Sequence, residues 1–95
     1  MTHAGHTVLC TARDELSADV VDLSMGGICL FVRGVVRKGE FVRIRAPFSG
    51  LESVELHAVV VRAHPTELPD HTVVGLSFLA LPEAVVSRLA ASVAR

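Results

Sequence analysis

The chain has 95 residues with a formal net charge of −1, and 51% of its residues are hydrophobic. A domain of this length buries roughly two thirds of its unfolded surface, so a second folding unit is not expected. The near-zero charge provides no global basic field, which argues against binding of nucleic acid polymers. Membrane insertion is not expected either, because charged, Gly or Ser residues interrupt the apolar stretches well before the ~20 residues of a spanning helix.

Valine dominates the apolar residues, with 16 in the chain, whereas Trp and Tyr are absent. Because valine favours strands, this composition predicts a small β-rich core. The two cysteines, Cys10 and Cys29, lie inside apolar stretches with no CxxC spacing, and the start of the chain lacks a signal-peptide pattern. These features predict a cytoplasmic location.

Alternation of apolar and polar residues predicts three strands in the first half of the chain, after a flexible terminus at residues 1–6. They are Thr7 to Arg13, Ala18 to Leu23, and Ile28 to Arg33. Between the last two, Gly26 and Gly27 are predicted to reverse the chain with positive φ, which other residues resist. On the third strand the inward face is predicted to be Ile28, Leu30 and Val32.

The second half predicts three more strands and then a change of period. The strands are Phe41 to Ala46, Val54 to Ala63, and Thr72 to Leu81. Their predicted inward residues are Val42, Ile44, Val54, Leu56, Ala58, Val60, Val74, Leu76, Phe78 and Ala80. Pro82 and Glu83 suit a helix start, before an apolar stripe at Val85, Val86, Leu89, Ala90 and Val93. The whole pattern predicts a mainly β, six-stranded antiparallel barrel with one C-terminal amphipathic helix.

The sequence gives little support to catalysis. The histidines match no zinc-site spacing. Asp22, Ser24 and a histidine could be combined into a nominal Ser-His-Asp triad, but no GxSxG motif surrounds the serine. We therefore predict no catalytic residues, no metal site, no cofactor and no enzyme activity.

A six-residue motif carries the strongest functional signal. Asp22 and Ser24 are two residues apart on an extended chain and therefore share a face, and Gly27 follows where the chain turns. This DxSxxG pattern, the Gly-Ile-Cys-Leu strand after it, the later strands and the closing helix make the chain resemble the PilZ domain family. The resemblance covers roughly residues 7 to 94, and we expect residues 7–95 to form a single PilZ domain.

The resemblance implies a barrel that binds cyclic di-GMP and passes the signal to a protein partner. In that family the ligand is held by an RxxxR stretch before the first strand and by the DxSxxG surface. Arginine forks suit the phosphates and the O6 and N7 acceptors of guanine. The candidate ligand-binding residues here are Asp22, Ser24, Gly26, Gly27 and Arg62.

The RxxxR limb is missing from residues 1–6, and the first arginine is Arg13. Removal of one charge-assisted hydrogen bond costs about 1.5–3 kcal/mol. We therefore expect an adaptor of cyclic di-GMP signalling, in motility, surface behaviour or type IV pilus biogenesis, that acts through protein contacts with weak or no direct binding. The alternative is a direct receptor that takes its cations from Arg13, Arg33, Arg62 or a second subunit. Without the arginine limb, Asp22 and Ser24 serve either the geometry of the turn or residual ligand contact.

An RxxxR stretch does occur from Arg33 to Arg37, but it follows the DxSxxG motif instead of preceding it, which is the wrong order for the family. Five cations and one acid, Glu40, give residues 33 to 45 a charge of +4. The cations are Arg33, Arg37, Lys38, Arg43 and Arg45. They form either a solvated loop and strand face or a docking patch for an acidic protein surface or a weakly held phosphate.

Overall fold

Alternating burial along the chain marks six strands in the computed structural model, which describes residues 2–48, 50–51 and 53–93. The elements are β1 (Thr2–Cys10), β2 (Glu15–Leu23), β3 (Gly27–Val32), β4 (Phe41–Arg45), β5 (Glu55–Pro65), β6 (Thr72–Ala80) and α1 (Glu83–Val93). The predicted mainly β fold with a C-terminal helix is thereby confirmed.

The strands form a closed antiparallel barrel in the order β1-β2-β3-β6-β5-β4. Closure depends on β1 meeting β4, through the pairs Leu9↔Ile44 and Cys10↔Arg43. The buried hydroxyl of Thr7 donates a hydrogen bond to the carbonyl of Arg45 over 2.7 Å, which adds a side-chain contact between β1 and β4. The β1–β4 contact is called the seam below.

The barrel interior is filled by the inward faces of all six strands. Most residues predicted to point inward are buried: Ile28, Leu30, Val32, Val42, Ile44, Leu56, Ala58, Val60, Val74 and Leu76. Val54 and Phe78 are half-buried against the core. The prediction is wrong for Ala80, which is exposed. The register of β5 with β6 shifts between His57 and Ala58, leaving an extra residue on β6 and breaking the alternation there.

The first strand differs from its predicted bounds of Thr7 to Arg13. It spans Thr2–Cys10, so the segment predicted to be flexible pairs with β2, for example at Gly5↔Val20. Hydrogen bonding to β2, and not apolar alternation, defines this part of the strand. A turn ends it early, because the Thr11 hydroxyl accepts hydrogen bonds from the backbone N–H groups of Arg13 and Asp14.

The helix α1 packs against the barrel through Val85 and Leu89, which are fully buried. The carbonyl of Pro82 accepts hydrogen bonds from Val85 and Val86, which starts the first turn. The guanidinium of Arg88 lies 5.3 Å from the centre of the Phe48 ring, so the helix lies against the connection between β4 and β5. Of the predicted stripe, Val86 is half-buried, Ala90 is exposed, and the side chain of Val93 lies outside the described residues. No helix in the described part of the chain is long and apolar enough to cross a membrane.

Candidate functional site

A single row of residues crosses four neighbouring strands on the outer surface of the barrel. Asp22 on β2 lies opposite Cys29 on β3, Cys29 lies opposite Gly75 on β6, and Gly75 lies opposite Arg62 on β5. Because neighbouring strands are about 4.8 Å apart, the ends of this row are separated by roughly 14 Å at the backbone. The row therefore places a carboxylate and a guanidinium on opposite sides of one surface.

Two β-bulges put these charges outside the barrel. Asp22 and Arg62 each stand two residues after a buried valine, Val20 and Val60, and regular strands would point them into the core. The register shifts between Val20 and Asp22 on β2 and between Val60 and Arg62 on β5. Each bulge inserts one residue and turns the following side chain outward. The bulges are the local feature that makes the site.

The row lies along an open cleft of about 670 Å³. Its lining includes every residue predicted to bind ligand: Asp22, Ser24, Gly26, Gly27 and Arg62. Three further polar side chains line it that sequence reasoning did not select: Cys29, His64 and Ser77. Cys29 and Ser77 stand on strands that the family resemblance had matched, and that was the available signal for them.

Arg62 lies across β6 because Gly75 has no side chain. A Cβ at Gly75 would meet Cβ and Nε of Arg62 at 3.6 and 3.7 Å, so the arginine stem packs on the glycine backbone. Within the part of the chain that the structure describes, Arg62 makes no ion pair and is available to an anion.

The thiol of Cys29 lies between the two charges of the row. Burial raises the pKa of Cys29, the carboxylate of Asp22 raises it further, and the guanidinium of Arg62 acts in the opposite direction. The thiol is therefore neutral near pH 7, and the centre of the cleft carries no charge of its own.

The turn between β2 and β3 is held by the motif itself. The Leu23 N–H donates to the Asp22 carboxylate over 3.0 Å, and the Ser24 N–H donates to the Gly27 carbonyl over 2.9 Å. The Ser24 hydroxyl donates to the same carbonyl over 3.3 Å. In the described structure the polar atoms of the motif thus serve the turn as well as the cleft.

Gly27 is required for a different reason from the predicted one. Positive φ among described glycines occurs at Gly39 and Gly50, and neither Gly26 nor Gly27 has it. Instead, a Cβ at Gly27 would collide with the backbone carbonyl of Leu76 on the neighbouring strand. Close approach of two strands, and not chain reversal, therefore demands a glycine there.

Two of the three intrachain cations suggested for a direct receptor lie away from the cleft. Arg13 is in the turn before β2, and the seven residue steps from Glu15 to Asp22 span about 23 Å of strand. Arg33 pairs with Asp19 at 3.0 Å, four residues beyond Cys29. Of these cations only Arg62 lines the cleft.

The basic residues between 33 and 45 do not share one face. In the barrel order, two strands separate β3 from β4 in either direction, which parts Arg33 from Arg43 and Arg45. The loop with Arg37 and Lys38 continues along β5, since the N–H of Gly39 and the carbonyl of Glu40 both bond to Val60. Four of the five cations thus lie on the β4–β5 side: Arg37, Lys38, Arg43 and Arg45.

Arg33 belongs instead to a surface cluster with His6, Ser17 and Asp19. His6 Nδ1 is 3.3 Å from Asp19 Oδ1, and His6 Nε2 is 3.2 Å from Ser17 Oγ. Arg33 donates to Ser17 and Asp19 over 3.4 and 3.0 Å. The order of partners resembles a Ser-His-Asp triad, but the cluster is open to water, and Arg33 donates hydrogen bonds to both the serine hydroxyl and the aspartate carboxylate. These side chains join β1, β2 and the residue after β3, and the cluster of His6, Ser17, Asp19 and Arg33 is called the clamp below.

The clamp predicts a pH effect on stability. The hydrogen bond from His6 and the charge of Arg33 hold the pKa of Asp19 below its ordinary value of 3.8 despite partial desolvation. A lowered folded-state pKa stabilises the fold above the unfolded value, and that contribution is lost as pH falls through the folded value. We expect the stability advantage of wild type over Asp19→Asn to be present at neutral pH and to shrink as pH falls below the ordinary carboxyl pKa of 3.8.

Urea unfolding followed by circular dichroism at pH 2.5 to 7 measures this difference, with Glu67→Gln on an exposed loop as control. A wild-type advantage over Asp19→Asn that persists unchanged to the lowest pH would contradict the prediction. So would the same pH dependence in the control.

Comparison with known proteins identifies the family. The model of the PilZ domain family matches residues 3–95. The chain is also similar in structure to MotI/DgrA, an inhibitor of motility from Bacillus subtilis, with a TM-score of 0.74 and 18% identity over 97% of this chain. At this identity the likeness shows the fold, and the match covers 46% of that chain. A search of curated proteins finds no match. Since the family model spans almost every residue, the chain belongs to the PilZ domain family.

Proposed function

We propose that this PilZ domain is a cytoplasmic adaptor of cyclic di-GMP signalling that acts through protein contacts and binds cyclic di-GMP weakly or not at all. PilZ domains are regulatory and binding domains, which supports a signalling role. A role in motility or surface behaviour is supported by the fold shared with an inhibitor of motility. The observation that carries the proposal is the cleft, where Arg62 is the one arginine among the described lining residues.

Charge balance explains why weak binding is expected. Cyclic di-GMP carries two phosphate charges, whereas the cleft offers one guanidinium on Arg62 and the opposing carboxylate of Asp22. The two charges nearly cancel at long range, so little attraction draws the ligand in. The two arginines of the family's other limb contribute about 1.5–3 kcal/mol for each charge-assisted contact, and neither Arg13 nor Arg33 lies where it could replace them.

Titration calorimetry with cyclic di-GMP tests the proposal on the chain of residues 1–95. We expect a dissociation constant weaker than roughly 10 μM, or no measurable heat. Asp22→Ala and Arg62→Ala serve as cleft variants, and Arg33→Ala, outside the cleft, serves as the matched control.

Micromolar or tighter binding that is lost in Asp22→Ala and Arg62→Ala but kept in Arg33→Ala would establish the direct receptor instead. The open cleft and the position of Arg62 across Gly75 favour that second candidate. If binding is tight only at protein concentrations where the chain dimerises, a second subunit supplies the missing cations. Sedimentation analysis with and without ligand separates these two forms of receptor.

A further inference from the structure

The outer face of β4, β5 and β6 exposes large apolar side chains side by side. Phe41 is 72% exposed, Leu79 55% and Val61 39%. The register Phe41↔Val59↔Ser77 places the three strands next to one another at this point. Phe41, Val59, Val61 and Leu79 are called the apolar face below. Exposed apolar groups gathered in one place mark an interaction surface more often than single exposed residues do.

The exposure is built into the strands. Val61 stands at the bulge of β5, and Leu79 is the extra residue where the register shifts opposite His57 and Ala58. Val61 and Leu79 each follow an inward-facing residue, Val60 and Phe78, so alternation already points them outward, and the register shifts leave neither with a residue directly opposite on the partner strand. Beside them lies a groove of about 320 Å³, lined by Phe41, Leu79, Arg43 and His57 together with the end of β1. The groove is a shallow, open recess that adjoins the exposed side chains of Phe41 and Leu79.

Charge around the apolar face selects the kind of partner. Six cations and four acids border the apolar face and its groove on β4, β5, the preceding loop and the turn after β1, an excess of +2. The cations are Arg13, Arg37, Lys38, Arg43, Arg45 and Arg62, and the acids are Asp14, Glu15, Glu40 and Glu55. A second copy of the chain would bring like charges together, which disfavours self-association. The acids among the cations oppose a uniformly anionic membrane surface more than they oppose a protein segment, whose own charges can be arranged around them.

We propose that the apolar face docks an acidic segment of a partner protein that inserts apolar side chains into the groove beside Phe41 and Leu79. The inference rests on the proposed function, since it gives the place where an adaptor makes its protein contact. Val61 lines the cleft as well as belonging to the apolar face. A ligand in the cleft and a partner on the face would therefore both contact β5.

A matched pair of substitutions tests the docking site. Leu79→Ser removes an apolar anchor, and Leu68→Ser removes a leucine of equal exposure, 54%, from the loop between β5 and β6. The probe is a synthetic amphipathic helical peptide of leucine and glutamate, and a peptide with lysine in place of glutamate is its charge control. Binding is measured by calorimetry and by amide shifts of the isotope-labelled protein.

We expect the acidic peptide to bind, to shift amide signals on β4, β5 and β6, and to weaken as salt increases. Leu79→Ser should weaken binding about tenfold, from loss of a buried leucine, while Leu68→Ser should leave it unchanged. Both side chains are exposed, and unchanged thermal midpoints would verify that the variants fold.

Several results would overturn the docking site. The lysine peptide could bind as well as the acidic one, or Leu68→Ser could weaken binding as much as Leu79→Ser. The free chain could also self-associate, or bind phosphatidylserine vesicles, in a way that Leu79→Ser abolishes. A failure of the proposed function would be seen in a different measurement, the binding of cyclic di-GMP. Tight binding of cyclic di-GMP to wild type and Leu79→Ser alike would overturn the adaptor role without touching the peptide result.

Discussion

Replacing Gly27 with alanine is expected to destabilise the barrel by about 3 kcal/mol, the upper range for forcing atoms into a packed interior. The added Cβ would collide with the carbonyl of Leu76, which is backbone and cannot rotate away. The strands β3 and β6 would have to separate at Gly27↔Ser77, the first pair of their ladder. Urea unfolding monitored by circular dichroism measures the loss as a lower midpoint.

The neighbouring Gly26 provides the matched control. A Cβ there meets nothing within 4 Å, and its φ is not positive. Gly26→Ala should therefore change stability by no more than about 0.5 kcal/mol in either direction, as surface substitutions usually do. Equal stability of the two variants would show that the close approach of β3 and β6 at Gly27 is not a constraint.

An extension that carries Arg-Ala-Ala-Ala-Arg ahead of Met1 is expected to raise the affinity for cyclic di-GMP by roughly a hundredfold or more. Thr2 pairs with Asp22, so the chain enters β1 beside the cleft, where the family's arginine limb precedes the first strand. Two charge-assisted contacts at about tenfold or more each give the expected factor. Calorimetry on the extended and unextended chains measures it.

The same extension with alanine in place of both arginines is the control. The gain should disappear in that control and in Asp22→Ala within the extended chain. If the arginine extension leaves the affinity unchanged, the cleft itself is unable to hold the ligand. Rebuilding the spacing inside β1 is not an equivalent test, because Thr7 is buried and its hydroxyl bonds to Arg45.

The regular strands could be predicted from the sequence because one face of each is apolar. On β4 the alternation of Val42 and Ile44 with Arg43 and Arg45 leaves one choice of inward face, and the structure agrees. The same reasoning fails at the ends of strands. Residues 2–6 have no apolar alternation, so the part of β1 that lies beside the cleft was visible only through its pairing with β2.

The arrangement of the cleft could be predicted only in part. The motif indicated Asp22, Ser24 and Gly27, but the sequence contains no sign of the bulges at Val21 and Val61, since a bulge depends on the partner strand. The barrel order also places β6 between β3 and β5, a neighbour relation that alternation does not encode. The bulges and the position of β6 together place Arg62 and Asp22 in one row across the barrel surface.

The seam closes the barrel with two residue pairs, whereas every other pair of neighbouring strands shares five or more. The two pairs include Leu9 and Ile44, which are buried in the core, so closure of the barrel depends on core packing as well as on this short ladder. Because the other end of β1 pairs with Asp22, one strand joins the closure of the barrel to the edge of the cleft.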